Sequence, residues 1–136
     1  MWDVELEYSS TLTFIILKSS QNNGSGIYVG IATSQHDIKE SIGGTSESWA
    51  FGPTNKDKVH DGSWDDYATI DSACTDSTTV TLHVDKAKGK MRVTLNGINL
   101  GPMFTDDKIK TERVYPAVSM VADGDKVGLT DVQVME

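Results

Sequence analysis

From Val80 to Leu100 apolar residues recur at every second position, and two sharp turns interrupt them. Val80, Leu82 and Val84 alternate with polar residues, Asp85-Lys86-Ala87-Lys88-Gly89 turns the chain, and Lys90 to Leu95 alternates again. Asn96-Gly97 then leads into Ile98-Asn99-Leu100-Gly101. An Asn-Gly pair between alternating runs is the strongest short-range hairpin signal, because both central residues of a type I′ turn need φ > 0. The chain is therefore expected to fold back on itself as an antiparallel sheet.

Period two extends over nearly the whole chain. Trp2, Val4, Leu6 and Tyr8 face one way and Asp3, Glu5 and Glu7 the other, as in a half-buried strand. Further strands are expected at Thr11 to Leu17, Ile27 to Thr33, Glu47 to Phe51, Lys58 to His60, Val114 to Val121 and Lys126 to Val134, with at most a brief one near Tyr67. No window carries a sustained helical stripe. About ten short strands with frequent turn signals describe an all-β, antiparallel two-sheet sandwich.

The 136 residues suit a single domain, residues 1–136, with no linker or internal repeat. Its one cysteine, Cys74, has no partner within the chain, and no Cys or His spacing marks a zinc site. A reducing intracellular compartment, the cytoplasm, is the expected home, and the domain is expected to be monomeric. Met1 to Glu5 lack the form of a signal peptide, and Phe14 to Leu17 is far too short to span a bilayer. Because Met1 abuts the first strand, excision from a longer protein is an expectation. The net charge of −8 speaks against nucleic acid, which needs a clustered basic surface. From Asp61 to Asp85 there are six aspartates and no Lys or Arg. Such a run suits a basic peptide or surface, and equally a solvated loop that keeps a domain soluble.

Catalytic patterns are thin. Glu5 and Glu7 share a strand face, as the carboxylates of sandwich-fold glycosidases do, but alternating charges are what any solvent-facing strand shows. His36, His60 and His83 are scattered, and Gly44-Thr45-Ser46-Glu47-Ser48 lacks the last glycine of a nucleophile elbow. Asp123-Gly124-Asp125 and Asp65-Asp66 provide too few spaced oxygens for calcium and read better as turns. Asn23-Gly24-Ser25 has the form of a glycosylation sequon in a bare loop. Neither enzyme, metal nor cofactor is expected.

Val84 to Lys90 followed by Leu95-Asn96-Gly97-Ile98-Asn99-Leu100-Gly101 resembles the signature run of SPRY domains. Further matches follow in family order: Tyr28 to Thr33, Ile42-Gly43-Gly44 with Glu47 to Phe51, Val59-His60-Asp61-Gly62, and Tyr115 to Ser119. The resemblance implies a bent, concanavalin-like jelly-roll sandwich whose loop rim binds partner proteins, without a PRY segment. It also implies recruitment into a scaffold or ubiquitin-ligase assembly. Ala50 stands where the family usually has Gly. Ile38 and Ala122 stand where the SOCS-box subgroup places the tyrosine and tryptophan of its peptide pocket, so that subgroup's Asn-rich specificity is not implied.

Physical reasons accompany the shared residues. Trp49 can seal the space between two sheets, its indole N–H needing one partner. Pro116, beside Tyr115, fits a strand only at an edge or bulge. Gly43 and Gly44 allow backbone angles that a loop packed over the sandwich demands, and Asn96 and Gly97 form the turn. These are read as structural. A peptide site on preformed loops would draw on Asn22 and Asn23, on Ile38, Glu40 and Ser41, and on Asp123 and Asp125, with Asp65, Asp66 and Tyr67 adjoining. Tyr67 and Ile38 would anchor, and the aspartates would hold a Lys or Arg of the partner. The alternative is a lectin-like carbohydrate binder, which would need a calcium site or an aromatic platform on a concave face.

Overall fold

The structure is a computed structural model that describes residues 5–6, 8–18, 27–36, 41–53, 56–67, 77–120 and 126–135. Its strands are β1 (Ser9–Lys18), β2 (Ile27–Thr33), β3 (Ser48–Gly52), β4 (Asp57–His60), β5 (Ser63–Asp66), β6 (Thr79–Asp85), β7 (Lys90–Leu95), β8 (Ile98–Thr105), β9 (Val114–Met120) and β10 (Lys126–Met135). A short helix, α1 (Asp107–Thr111), joins β8 to β9. The strands form two five-stranded antiparallel sheets, ordered β10-β1-β6-β7-β8 and β5-β4-β3-β2-β9. The expected two-sheet sandwich is what forms; the strand expected over residues 2–8 falls largely outside the described residues.

Alternation decides which face each strand buries. In β6 and β7, Val80, Leu82, Val84, Met91, Val93 and Leu95 point inward while their neighbours reach solvent. They meet Ile31, Trp49 and Phe51 of the second sheet in one core that includes Leu12, Phe14 and Ile16 of β1. Each such buried Leu, Ile or Phe stabilises the fold by about 2 kcal/mol relative to exposure. Asn96 (φ 48°) and Gly97 (φ 84°) both take the left-handed conformation that the Asn-Gly signal requires.

Pro116 lies in β9, an outer strand of its sheet, where a missing N–H costs no central ladder bond. Gly43 adopts φ 84° as its sequence position suggests, whereas Gly44 does not need a positive φ. What Gly44 needs is room, since a Cβ there would stand 3.0 Å from the Ser41 carbonyl oxygen. The α1 turn lies where no helix was expected. Asp106 caps its N-terminus by accepting from the Lys108 N–H, and the Lys86 ammonium gathers the carbonyls of Ile109, Lys110 and Glu112 at its other end.

Candidate functional site

On the outer face of the second sheet the side chains are small: Ala32, Ala50 and Ala117 form a floor with Val59 and the lower part of Tyr28. Ile42 drops onto that floor from the connection between β2 and β3. Its N–H donates to Ser119 Oγ at 2.8 Å, and Gly43 N–H donates to Ser48 Oγ at 2.6 Å. The backbone of this connection also meets the β4–β5 turn, with Gly62 N–H donating to Gly43 O at 2.9 Å and Asp61 N–H to Thr45 O at 3.1 Å. Ser41 is exposed and adjoins Ile42, which sets it near the end of β9.

Strand pairing brings further candidate segments to that end. Ile27 pairs with Met120, and Lys18 pairs with Lys126. The connections 19–26 and 121–125 therefore start and finish on directly paired residues. Asn22, Asn23, Ile38, Glu40, Asp123 and Asp125 themselves lie outside the described residues.

Asp65 and Asp66 lie elsewhere. Both are exposed on β5, the outer strand opposite β9, four strand spacings or about 19 Å away. Tyr67 follows them and is half-buried; its ring meets Phe51 edge-on at 5.8 Å and its hydroxyl donates to the Gly101 carbonyl of β8. Burial pushes that hydroxyl up to about 12. Tyr67 thus ties the two sheets together, and its hydroxyl is engaged within the domain.

Two neighbours in this region were not singled out from the sequence. Trp64 is 58% exposed on β5, and Asp57, its cross-strand partner being Asp66, is only 9% exposed. Among the described residues Asp57 Oδ1 has no hydrogen-bond partner, while Tyr28 donates to Oδ2 at 3.5 Å. Burial raises the Asp57 carboxyl above its ordinary range, and Asp66 adds to the effect. An aromatic inside an acidic run, Trp64-Asp65-Asp66, was the available signal for the exposed Trp; nothing in the sequence marks Asp57 as buried.

The remaining polar residues read as framework. His36 Nδ1 lies 3.3 Å from Thr45 Oγ1, His60 Nδ1 donates to the Ser48 carbonyl at 2.8 Å, and His83 Nε2 lies 3.0 Å from Thr94 Oγ1. Glu5 Oε1 lies 3.6 Å from Arg113 Nε. Among the described residues no group of three or more His, Cys, Asp or Glu could hold a metal ion, and no helix is long and apolar enough to cross a membrane.

The family model of the SPRY domain matches residues 10–133. The chain belongs to the SPRY domain family. Solved structures agree in fold. The SPRY domain of human HERC1 is similar with a TM-score of 0.72 at 22% identity, over 98% of this chain and 80% of that one. A human SPRY domain gives 0.69 at 16% identity, over 88% and 74%, and the TRIM65 PSpry domain 0.67 at 14%, over 95% and 68%. No curated protein matches the chain. SPRY domains are generally protein-protein interaction modules and typically non-catalytic.

Within this SPRY domain, the motif residues hold the frame. Trp49 is fully buried and stacks on His60, the rings 4.9 Å apart and 7° from parallel. Its indole N–H donates to Asp106 Oδ2 at 3.1 Å, which is the partner that its burial requires.

Proposed function

We propose that this SPRY domain is a non-catalytic docking module that binds a segment or basic surface of a partner protein on the loop surface where 19–26 and 121–125 emerge, and recruits that partner to a larger intracellular, cytoplasmic assembly. The observation that carries this reading is the pairing of Ile27 with Met120 and Lys18 with Lys126, with Ser41 adjoining the same end of β9. Loops held on a rigid sandwich are the usual place for recognition residues, since the scaffold bears the entropy of ordering. Asn22, Asn23, Ile38, Glu40, Ser41, Asp123 and Asp125 would make the contacts, Ile38 as apolar anchor and the acids as partners for Lys or Arg. Asp65 and Asp66 would extend the contact along the opposite edge. The net charge of −8 favours a basic partner.

The test is affinity capture followed by mass spectrometry, comparing the native domain with Ile38→Arg/Asp123→Lys and with Asp65→Lys/Asp66→Lys, after circular dichroism shows all three folded. A partner lost with the first variant supports the loop surface, and a further loss with the second adds the β5 edge. Retention of every partner by both variants sinks the reading. Binding through the acids should weaken as salt rises from about 0.05 to 0.5 M, because exposed charges are screened beyond about 10 Å at 0.1 M.

A further inference from the structure

The outer face of the β10-β1-β6-β7-β8 sheet carries a groove of about 400 Å³ that lies apart from the loop surface. Thr11, His83, Arg92 and Pro102 are successive cross-strand partners across β1, β6, β7 and β8. They line one row about 14 Å long, three strand spacings. The adjoining row, toward the β6–β7 turn, holds Ser9, Asp85 and Lys90. Register shifts in the β7–β8 pairing between Met91 and Arg92 and between Val93 and Thr94 mark bulges, which bend a strand and deepen its twist.

The groove's charges are unlike those of the rest of the chain. Against a net charge of −8, it presents Lys90 and Arg92, both exposed, and a half-buried imidazole. Arg113 is set against Glu5 and Lys108 pairs with Glu47, whereas Lys90 and Arg92 have no ion pair among the described residues. The one carboxylate present, Asp85, is already engaged: its Oδ1 accepts from Ser9 Oγ at 3.2 Å and from the Lys88 N–H at 3.2 Å.

We propose that this groove docks an acidic peptide segment of a partner protein, with a carboxylate seated on the Arg92 guanidinium, Lys90 beside it and the His83 imidazole at its base. The planar guanidinium fork matches a carboxylate with two parallel N–H···O bonds, which a lone ammonium cannot do. Thr11 supplies a hydroxyl, and Pro102 an apolar wall for the peptide's stem. The volume, at the lower end of ordinary ligand sites of about 300 to 1,000 Å³, fits a short segment and not a folded surface.

His83 reports on occupancy. Burial lowers its proton affinity, and the nearby Arg92 charge lowers it further. Among the described residues, Lys90 and Asp85 in the adjoining row and Asp131 of β10, the cross-strand partner of Thr13, carry further charge on this face. A carboxylate on Arg92 offsets the repulsive charge, so binding raises the His83 affinity for a proton.

The experiment is heteronuclear NMR of the intact domain titrated with N-acetylated hexaglutamate at about 50 mM salt, where exposed charges still act at a distance. Shifts clustered at Thr11, His83 and Arg92, with an upward move of the His83 titration midpoint, are expected. Lys90→Glu/Arg92→Glu, two exposed positions whose change leaves the core untouched, should weaken binding at least about tenfold. Ile38→Arg/Asp123→Lys should leave it unchanged, so that failure here and failure of the loop surface are told apart. No response to the peptide, shifts centred elsewhere, or equal binding by the charge-reversed variant overturns the proposal. So does an equal response to inorganic phosphate that the peptide does not exceed, which would make this a free-anion site.

Discussion

Trp49 of β3 donates its indole N–H to Asp106 Oδ2 at 3.1 Å, and that contact spans the two sheets of the sandwich. Asp106 directly follows β8, and its other oxygen caps α1 by accepting from the Lys108 N–H at 2.9 Å. His60 Nε2 lies 3.3 Å from the same Oδ2 and its ring stacks on Trp49. One carboxylate thus satisfies a buried donor and starts a helix.

Asp106→Ala removes both functions. An unsatisfied buried donor costs about 1 to 3 kcal/mol and a lost N-cap about 1 kcal/mol, so a fall of about 2 to 4 kcal/mol is expected. Asp106→Asn keeps one acceptor oxygen, which can serve the indole or the cap but not both, and should lose about 1 to 3 kcal/mol, less than Asp106→Ala. Urea unfolding of the two variants checks this; an Asp106→Asn loss equal to that of Asp106→Ala would show that a single remaining oxygen gives the site nothing.

Tyr67→Phe tests the tie between β5 and β8. Losing its bond to the Gly101 carbonyl leaves an acceptor without its partner and should cost about 1 kcal/mol at neutral pH. The hydroxyl is pushed up to about 12 from an unfolded value near 10, so its contribution is fully present below about pH 10 and is lost as pH rises through about 12. The native domain should therefore lose its advantage over Tyr67→Phe across that window in denaturation curves taken at stepped alkaline pH. A difference that stays constant to the top of the window would separate the bond from the titration.

The hairpins, the strand count and the need of Trp49 for a polar partner were legible because each rests on local pattern or on one residue's chemistry. Helix α1 was not, since its five residues are too few to show a helical stripe, although Asp106 and Asp107 followed by Lys108 are ordinary start signals. Which loops share an end was hidden for a different reason. The pairings of Ser9 with Met135 and of Ile27 with Met120 join residues far apart in sequence, and no local signal encodes them. Tyr67 was expected to anchor a partner as an aromatic adjoining the rim loops; its tie to Gly101 depends on a contact that only the packed sheets create. Trp64 and Trp49 look alike in sequence, yet one lies on an outer strand and the other in the core.

Asp57→Asn should stabilise the domain. The buried carboxyl sits above its ordinary range because burial disfavours its charge, so folding takes up a proton there. The corresponding stability is fully present below about pH 4 and is lost as pH rises through the folded value. At neutral pH the amide avoids burying a charge beside an oxygen that has no partner among the described residues, and a gain of about 0.5 to 1 kcal/mol is expected. The gain should shrink as the pH is brought down toward 4. Thermal unfolding of both proteins at several pH values between 4 and 7 decides it, and a gain independent of pH would point away from the carboxyl's charge.

Gly30→Ala should be among the most damaging single-methyl changes in this fold. Gly30 lies in β2, paired with Ala50 of β3 and Ala117 of β9, so the backbone is held from both sides. A Cβ at Gly30 would stand 1.9 Å from the Trp49 carbonyl oxygen and 2.9 Å from Ala50 Cα. Those are backbone atoms of a neighbouring strand, which cannot turn aside as the end of a flexible side chain would. Relief requires β2 and β3 to separate where Ile31 and Trp49 pair, which loosens the core around the indole. Inserting atoms into packed interiors costs about 1 to 3 kcal/mol and occasionally more. Here the loss should reach about 3 kcal/mol, near the upper end because no side chain can yield. Gly97→Ala is the control: nothing lies within 4 Å of its added Cβ, and its cost, from φ 84° alone, should be only about 1 kcal/mol. Urea midpoints for the pair give the comparison, and a Gly30→Ala loss no larger than that of Gly97→Ala would mean that the strands part more easily than this packing allows.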